Sequence, residues 1–473
     1  MASKTQGQLL ATFGLRTAII LVVSSMIGSG IYKKVAVMAA DLQSPALVLG
    51  AWVLAGLVSM LGVLTIGEIA GLEPGSGGPY AYLRRMYGRV AAFSYGWASI
   101  TAIQSAAIAS IAYVFAHSLN AVITLPRLDS TAEQWNLWGI FYPLDNLGVK
   151  LTAIALILLL SIVNVRGARW GGGLSGILTA LVVSSLLLII ALGLSSPYGS
   201  FQNLSTPSKA YAGQSNGFWS DISLLFKGML SAFWAYDGWI TLGFMAGEVK
   251  QSSRNLPRAL IIGTLMVIVV YLLVNLTYLY ILPIDTMMAV ASDTNKIAAV
   301  EVIKVLFGNS GVFFLSLLIV ITTAACTNTT IMAAARIYQT MAVEGVFYRK
   351  ARAVHPRFNT PHVALWMQCI ISCLLVFSGT FDQLTDMLVF AQFIFYGAIA
   401  VGIILLRARE QNTPRPFKTP LYPVIPALYA FFCAFLVINT LYTSPRDAGF
   451  SLVLIAMGVP FYWWWGRGSD KIN

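Results

Sequence analysis

The chain is a succession of long apolar runs divided by short polar segments. Twelve runs come near or exceed the roughly 20 residues that cross a bilayer as a helix. They fall at 16–40, 45–72, 91–123, 149–166, 171–195, 219–247, 257–282, 311–340, 361–379, 385–408, 421–443 and 448–466. This pattern predicts an all-α integral membrane protein with 12 transmembrane helices. No small-residue cleavage site follows the first run, which therefore reads as a helix and not as a signal peptide.

Two runs are interrupted at mid-depth. The first, VVSSMIGSGIYKK at 22–34, carries Gly28-Ser29-Gly30 at its centre. The sixth, LLFKGMLSAFWAYDGWITLGFMAGEVK at 224–250, carries Asp237-Gly238. With five helices to a repeat, these two runs correspond across halves of opposite topology. Paired interruptions at matching positions predict two inverted five-helix repeats around a midplane binding site. The organisation expected is a tail at 1–15, a first repeat at 16–195 and a second, inverted repeat at 219–408. Helices 11 and 12 follow at 421–466, and a second tail at 467–473.

Composition agrees with a bilayer as solvent. Of 473 residues, 58% are hydrophobic and 10% charged, with a mean hydropathy of +0.76; soluble domains carry about a quarter charged residues. The net charge of +12 would suit nucleic acid, but its distribution does not. With the N-terminus in the cytoplasm, 21 of the 30 lysines and arginines fall on the cytoplasmic side and nine on the outer side. That is the positive-inside bias, and it puts both termini in the cytoplasm. No basic stretch is interleaved with aromatics as a nucleic-acid surface would be.

Cys326, Cys369, Cys373 and Cys433 all fall inside predicted membrane helices and read as small apolar packing residues. His117, His355 and His362 have no metal-ligand spacing. A membrane enzyme would need a nucleophile–base pair or a metal cluster at depth, and neither is present in the sequence. A channel would need a continuous polar lining, whereas the helices are apolar on most faces outside the breaks.

The breaks themselves suggest chemistry. An unwound turn leaves N–H and C=O groups unpaired in low dielectric, at several kcal/mol each unless something meets them. A zwitterion meets both kinds. Its carboxylate would accept from the N–H groups of Ser29 and Gly30, at the positive end of the outer half-helix. Its ammonium would donate to carbonyls at the end of the inner half-helix and around 234–237. Gly28 and Gly30 leave that backbone open to approach.

These residues resemble those of the amino acid–polyamine–organocation transporter superfamily. Within it the chain resembles the L-type amino acid transporter family, in particular its bacterial serine/threonine exchangers. The resemblance rests on MIGSGIY (26–32), LTIGEIAGLEPGSGGPYAYLRRMYG (64–88) and FWAYDGWITLGFMAGEVKQSSRNLPRAL (233–260). AARIYQTMAVEGVF (334–347), HPRFNTPH (355–362) and RPFKTPLYPVIP (415–426) extend it over nearly the whole chain. It implies a leucine-transporter-like fold working by alternating access, with substrate-binding residues Ser25, Met26, Gly28, Ser29 and Gly30 from helix 1. From helix 6 it implies Trp234, Ala235, Asp237 and Gly238, with Trp234 at the position of an aromatic outer gate. Asp237 would titrate, contact the substrate ammonium or cap unwound backbone.

One departure bears on coupling. Sodium-independent members commonly carry a lysine on helix 5, where this chain has Val182 and no lysine along the helix. On helix 8, Thr329 and Thr330 stand where sodium-coupled relatives supply hydroxyl ligands. Carbonyls of Ser24, Ile27 and Cys326 would complete a sodium site, although such threonines also bond back to their own helix. Lys33 and Lys34 follow the break, look outward from it and read as unsuited to replace the missing charge. The resemblance favours amino acid exchange; the missing lysine and paired threonines favour sodium symport, and the balance leans to sodium. Glu68 and Glu248, near the inner ends of helices 2 and 6, read as a cytoplasmic gate with Arg84, Arg85 or Arg254, or equally as rim salt bridges.

The expected activity is secondary transport of neutral L-amino acids, because the pocket holds few fixed charges. A polyamine or nucleobase carrier on the same fold is the alternative. No organic cofactor is expected, only Na+ as a candidate coupling ion. Human relatives are disulfide-linked to an accessory glycoprotein through a cysteine between helices 3 and 4. Residues 124–149 contain none, so no such partner is expected, and a prokaryotic inner membrane fits.

Overall fold

In a computed structural model, the described residues are 13–466 apart from 76, 137–141, 168–171, 212–216, 294 and 359. Most of the 1–15 tail and all of 467–473 lie outside them. Among the described residues the chain is helical, and its extended pairing is a single parallel bridge between Phe13 and Val249.

Each predicted run contains a helix. The first is split into α1 (Leu15–Met26) and α2 (Gly30–Leu42), which meet at 40°. There follow α3 (Pro45–Leu72), the short amphipathic α4 (Pro79–Tyr87), α5 (Arg89–Asn120), α6 (Leu147–Val165) and α7 (Gly172–Leu194). The sixth run gives α8 (Phe218–Tyr236), which stops at the second break; beyond it lie only a turn of helix, Thr241–Phe244, and a 3-10 turn, Ala246–Glu248. Then come α9 (Ser252–Ile281), the short α10 (Ile284–Ala291), and α11 (Ala298–Val343) with a bend at Gly308. The chain ends with α12 (His362–Ser378), α13 (Phe381–Arg409), α14 (Val424–Thr443), α15 (Pro445–Ala456) and α16 (Gly458–Gly466).

Among the described residues, eight helices are individually long and apolar enough to cross a membrane, or nine with α1 and α2 as one bent span. The shortfall from twelve has a local cause. The sixth run ends early at its break, α12 offers only 17 residues, and the fifth run counts only through the shorter apolar stretch Thr179–Leu194.

Solvent logic is inverted at the surface. On α9, Ile262, Leu265, Met266, Val269 and Leu273 are all exposed. Their spacing is that of one helical stripe, and an apolar stripe of that length faces lipid. Inside, α9 packs along α3 and α1, α11 along α5, and α8 against α2 and α3. Both breaks therefore lie within the bundle, with Ser29 and Gly30 buried and Gly28, Asp237 and Gly238 half-buried.

Candidate functional site: two facing helix breaks

The first break begins where α1 ends. The Ile27 N–H still reaches Val23 O at 2.8 Å, but Gly28 turns back to donate to Met26 O. Tyr271 of α9 donates its hydroxyl to the same Met26 oxygen at 2.7 Å, so that carbonyl is doubly met. Met26 is buried, and its sulfur accepts from the Thr264 hydroxyl at 3.7 Å. On the other side of the break, no side chain caps the N-terminus of α2. Ser29 Oγ is buried there without a hydrogen-bond partner. Helix N-termini carry unmet N–H groups and partial positive charge, so this end is built to receive an acceptor.

Facing it is the end of α8. A Cβ on Gly30 would lie 2.6 Å from Ala235 Cα, so glycine alone allows α2 to rest on α8. Gly238 is held at φ +104°, and a Cβ there would meet Ser25 O at 2.2 Å. Ser25 Oγ also lies within bonding distance of Gly238 O (2.9 Å) and Val22 O (3.0 Å). Sequence reasoning placed Ser25 in the pocket; its hydroxyl here ties one break to the other. Trp234 is buried, its indole N–H has no partner, and its ring meets Phe381 edge-on at 6.3 Å.

Asp237 is held by side chains of α13. Gln392 of α13 donates to Asp237 Oδ1 at 2.8 Å, with Tyr396 Oη 3.4 Å away. Gln392 also bonds Tyr396 directly. Behind the acid is a cavity of about 10 Å³ lined by Ser59, Tyr236, Gln392, Tyr396 and Tyr429, near the size of one water. Gln392 and Tyr396 were missed from sequence, though a polar pair at i, i+4 in an apolar run was the available signal.

The proposed cation residues converge only in part. Cys326 Sγ lies 3.6 Å from where a Gly28 Cβ would stand, so α11 reaches the first break. Thr329 and Thr330 donate to Ala325 O (3.1 Å) and Cys326 O (3.0 Å), the back-bonding expected of threonines in membrane helices. The donated proton leaves each threonine oxygen free to accept or ligate.

The acids at the basic end of the bundle have other partners than the sequence suggested. Glu68 is buried and bound by Arg407 (2.5 Å and 2.8 Å), Arg415 (2.9 Å) and the Thr419 N–H (2.8 Å). Glu248 pairs with Arg336 at 2.6 Å. Arg84 instead pairs with Glu344, and Arg85 with Glu73 and Glu410. The reason is topological: the 409–420 loop folds under α3, and α11 passes beside the 246–248 turn. In the loop after α13, the Arg85 hydrogen bond holds the Glu410 carboxyl below the usual carboxylate range. At this end the Phe13 N–H donates to Glu248 O (2.9 Å) and the Phe13 carbonyl accepts from the Lys250 N–H (2.8 Å), joining the start of α1 to the end of the sixth run on either side of Val249.

Lys33 and Lys34 do not look outward into solvent. Lys34 is fully buried, 2.7 Å from Asp382, 2.7 Å from Thr385 Oγ1 and 3.9 Å from Asp386. Lys33 is buried with its ammonium 3.0 Å from His117 Nδ1. Both cations lie over the Phe381 ring, at 4.9 and 4.8 Å.

Known proteins place this arrangement. The chain is 29% identical to the serine/threonine exchanger SteT of Bacillus subtilis, over 95% of each chain. It is 28% identical to the mouse large neutral amino acids transporter small subunit 2, covering 95% of this chain and 80% of that one. The human cystine/glutamate transporter is 26% identical over 98% of this chain and 89% of its own. These relatives are transporters, not enzymes. Residues 13–463 match the amino acid permease family, and the chain belongs to that family, within the amino acid–polyamine–organocation superfamily.

Proposed function

We propose that the chain carries neutral L-amino acids across a prokaryotic cell membrane by alternating access. In this reading it has twelve spans, with inverted repeats at 16–195 and 219–408 and both termini in the cytoplasm. The observation that carries it is the uncapped N-terminus of α2, with buried Ser29 Oγ beside it and the unpartnered Trp234 indole on the facing helix. A carboxylate supplies the acceptor this end lacks. The substrate ammonium would take carbonyls of the α8 end, since Asp237 is already held by Gln392 and Tyr396. The relatives named for amino acid transport support the substrate class, and SteT supports exchange as the coupling mode.

A second reading, sodium symport, keeps its support from Thr329, Thr330 and the approach of Cys326 to Gly28. Uptake of a labelled neutral amino-acid panel into proteoliposomes tests both. Saturable uptake that needs internal amino acid and ignores replacement of sodium by choline supports exchange. Uptake lost in choline and in Thr330→Ala supports sodium. Competition by a polyamine or nucleobase and by none of the amino acids would overturn the substrate class. Although the mouse relative is named a small subunit, this chain has free cysteines only at Cys326, Cys369, Cys373 and Cys433, none of them within 124–149. We take it to work without a disulfide-linked partner.

A further inference from the structure

We propose that Lys33 and His117 together form a proton-binding site whose occupancy is linked to substrate binding at the first helix break. The proposal starts from a contact between two nitrogen bases. Lys33 Nζ and His117 Nδ1 stand 3.0 Å apart, on α2 and α5, and both side chains are buried. At that distance one proton must lie between them, donated by one nitrogen to the lone pair of the other. A second proton would place two cations in contact, beside a third at Lys34, in a low-dielectric interior. The pair therefore changes charge by one, and in the proposed cycle it takes its proton from one side of the membrane and releases it on the other.

The neighbours sharpen the assignment. Lys34 has its charge met by Asp382 and Asp386, so it belongs to an ion pair with α13 and is not the exchanging group. Tyr113 lies beside His117, ring centroids 5.9 Å apart, and donates its hydroxyl to Val376 O at 2.6 Å. Asp382 on α13 and Asp293 beyond α10 act on Lys33 through their charge, and Lys34 opposes them. Asp41 and Asp447 face Asp386 as like charges, and Lys227 pairs with Asp41 at 2.6 Å. The Phe381 ring covers both lysines and meets Trp234 edge-on, so the site adjoins the aromatic gate.

Position supplies the link to substrate. Lys33 follows Gly30 by three residues, which on a helix is the same face one turn along. A cation there favours an anion at the N-terminus of α2, and an anion there favours the proton. Linkage of this kind is reciprocal. This half of the proposal rests on the substrate reading above; the proton site itself does not.

The test uses the full chain in lipid nanodiscs, labelled with 15N-histidine. Only three histidines are present, so His117→Gln assigns the His117 signal. If Lys33 shares its proton, the His117 signal titrates with pH and its midpoint is displaced in Lys33→Met. A signal insensitive to pH, or one with the same midpoint in wild type and Lys33→Met, overturns the site. In proteoliposomes, an inward gradient of one pH unit should raise accumulation of labelled L-serine, L-threonine or L-leucine by up to about tenfold, and Lys33→Met should remove that gain. Equal accumulation by wild type with and without the gradient overturns the linkage. If wild type moves none of the three amino acids, the functional reading fails while the histidine titration still decides the proton site.

Discussion

The two helix breaks face each other, yet they are finished differently. At the second, the acid that could have served a ligand is held by Gln392 and Tyr396 from α13. At the first, Met26 O is met twice, by Gly28 and Tyr271, whereas the α2 side keeps an uncapped N-terminus and an orphan Ser29 hydroxyl. A buried polar atom without a partner costs about 1–3 kcal/mol. A fold that satisfies one break and leaves the other open has reserved the open one for a molecule that comes and goes. In the proposed reading the open side awaits an anion, and the braced side contributes carbonyls.

The largest test of that contrast is steric. Gly238→Ala places a Cβ 2.2 Å from Ser25 O at a φ that only glycine adopts easily. Transport should fall to background, and uptake near wild type would show that the two breaks need not touch. Next, Glu68→Gln leaves Arg407 and Arg415 without their buried acid, at about 3–5 kcal/mol. Thermal unfolding in detergent should drop by many degrees, separating the stabilising basic end from the ligand site.

Ser29→Ala addresses the open break directly. Losing a hydrogen bond to a charged group removes about 1.5–3 kcal/mol, so substrate affinity should fall roughly 10–100-fold, with the stability of the substrate-free protein unchanged or raised. A loss of stability without loss of affinity would assign Ser29 to packing. Asp237→Asn keeps the group that Gln392 and Tyr396 address. Its KM should change by no more than about tenfold, the scale of one neutral hydrogen bond; abolished binding would make Asp237 a substrate contact after all.

The smallest effect lies far from both breaks. Glu410 is held below its ordinary range by Arg85. Its stabilisation is therefore complete above the ordinary carboxylate range and is lost as pH falls through the lowered one. Glu410→Gln should cost about 0–1 kcal/mol at neutral pH, measured by unfolding, and the gap should close in acid.

Much of this was legible before the structure. Hydropathy located a helix for every run and found both breaks, because bilayer length and backbone satisfaction constrain sequence strongly. Pro45 and Leu72 bound α3 as the run did. Long-range pairing was not legible. Glu68 meets Arg407 and Arg415, some 340 residues away, because the end of α13 and the proline-rich loop after it pack against α3. Lys33 and Lys34 read as outward-facing because their partners, His117 and Asp382, belong to distant parts of the sequence. In an apolar interior an isolated charge in one run implies a counterpart in another, but not which one.

The central claim is that α2 receives the substrate carboxylate at Ser29 and Gly30. Equilibrium binding of an L-amino acid and of its uncharged carboxamide, to wild type and to Ser29→Ala, tests it most directly. The account predicts that wild type binds the acid far more tightly than the amide, and that Ser29→Ala narrows the gap by weakening the acid alone. Equal binding of acid and amide by wild type, or an unchanged gap in Ser29→Ala, would contradict it.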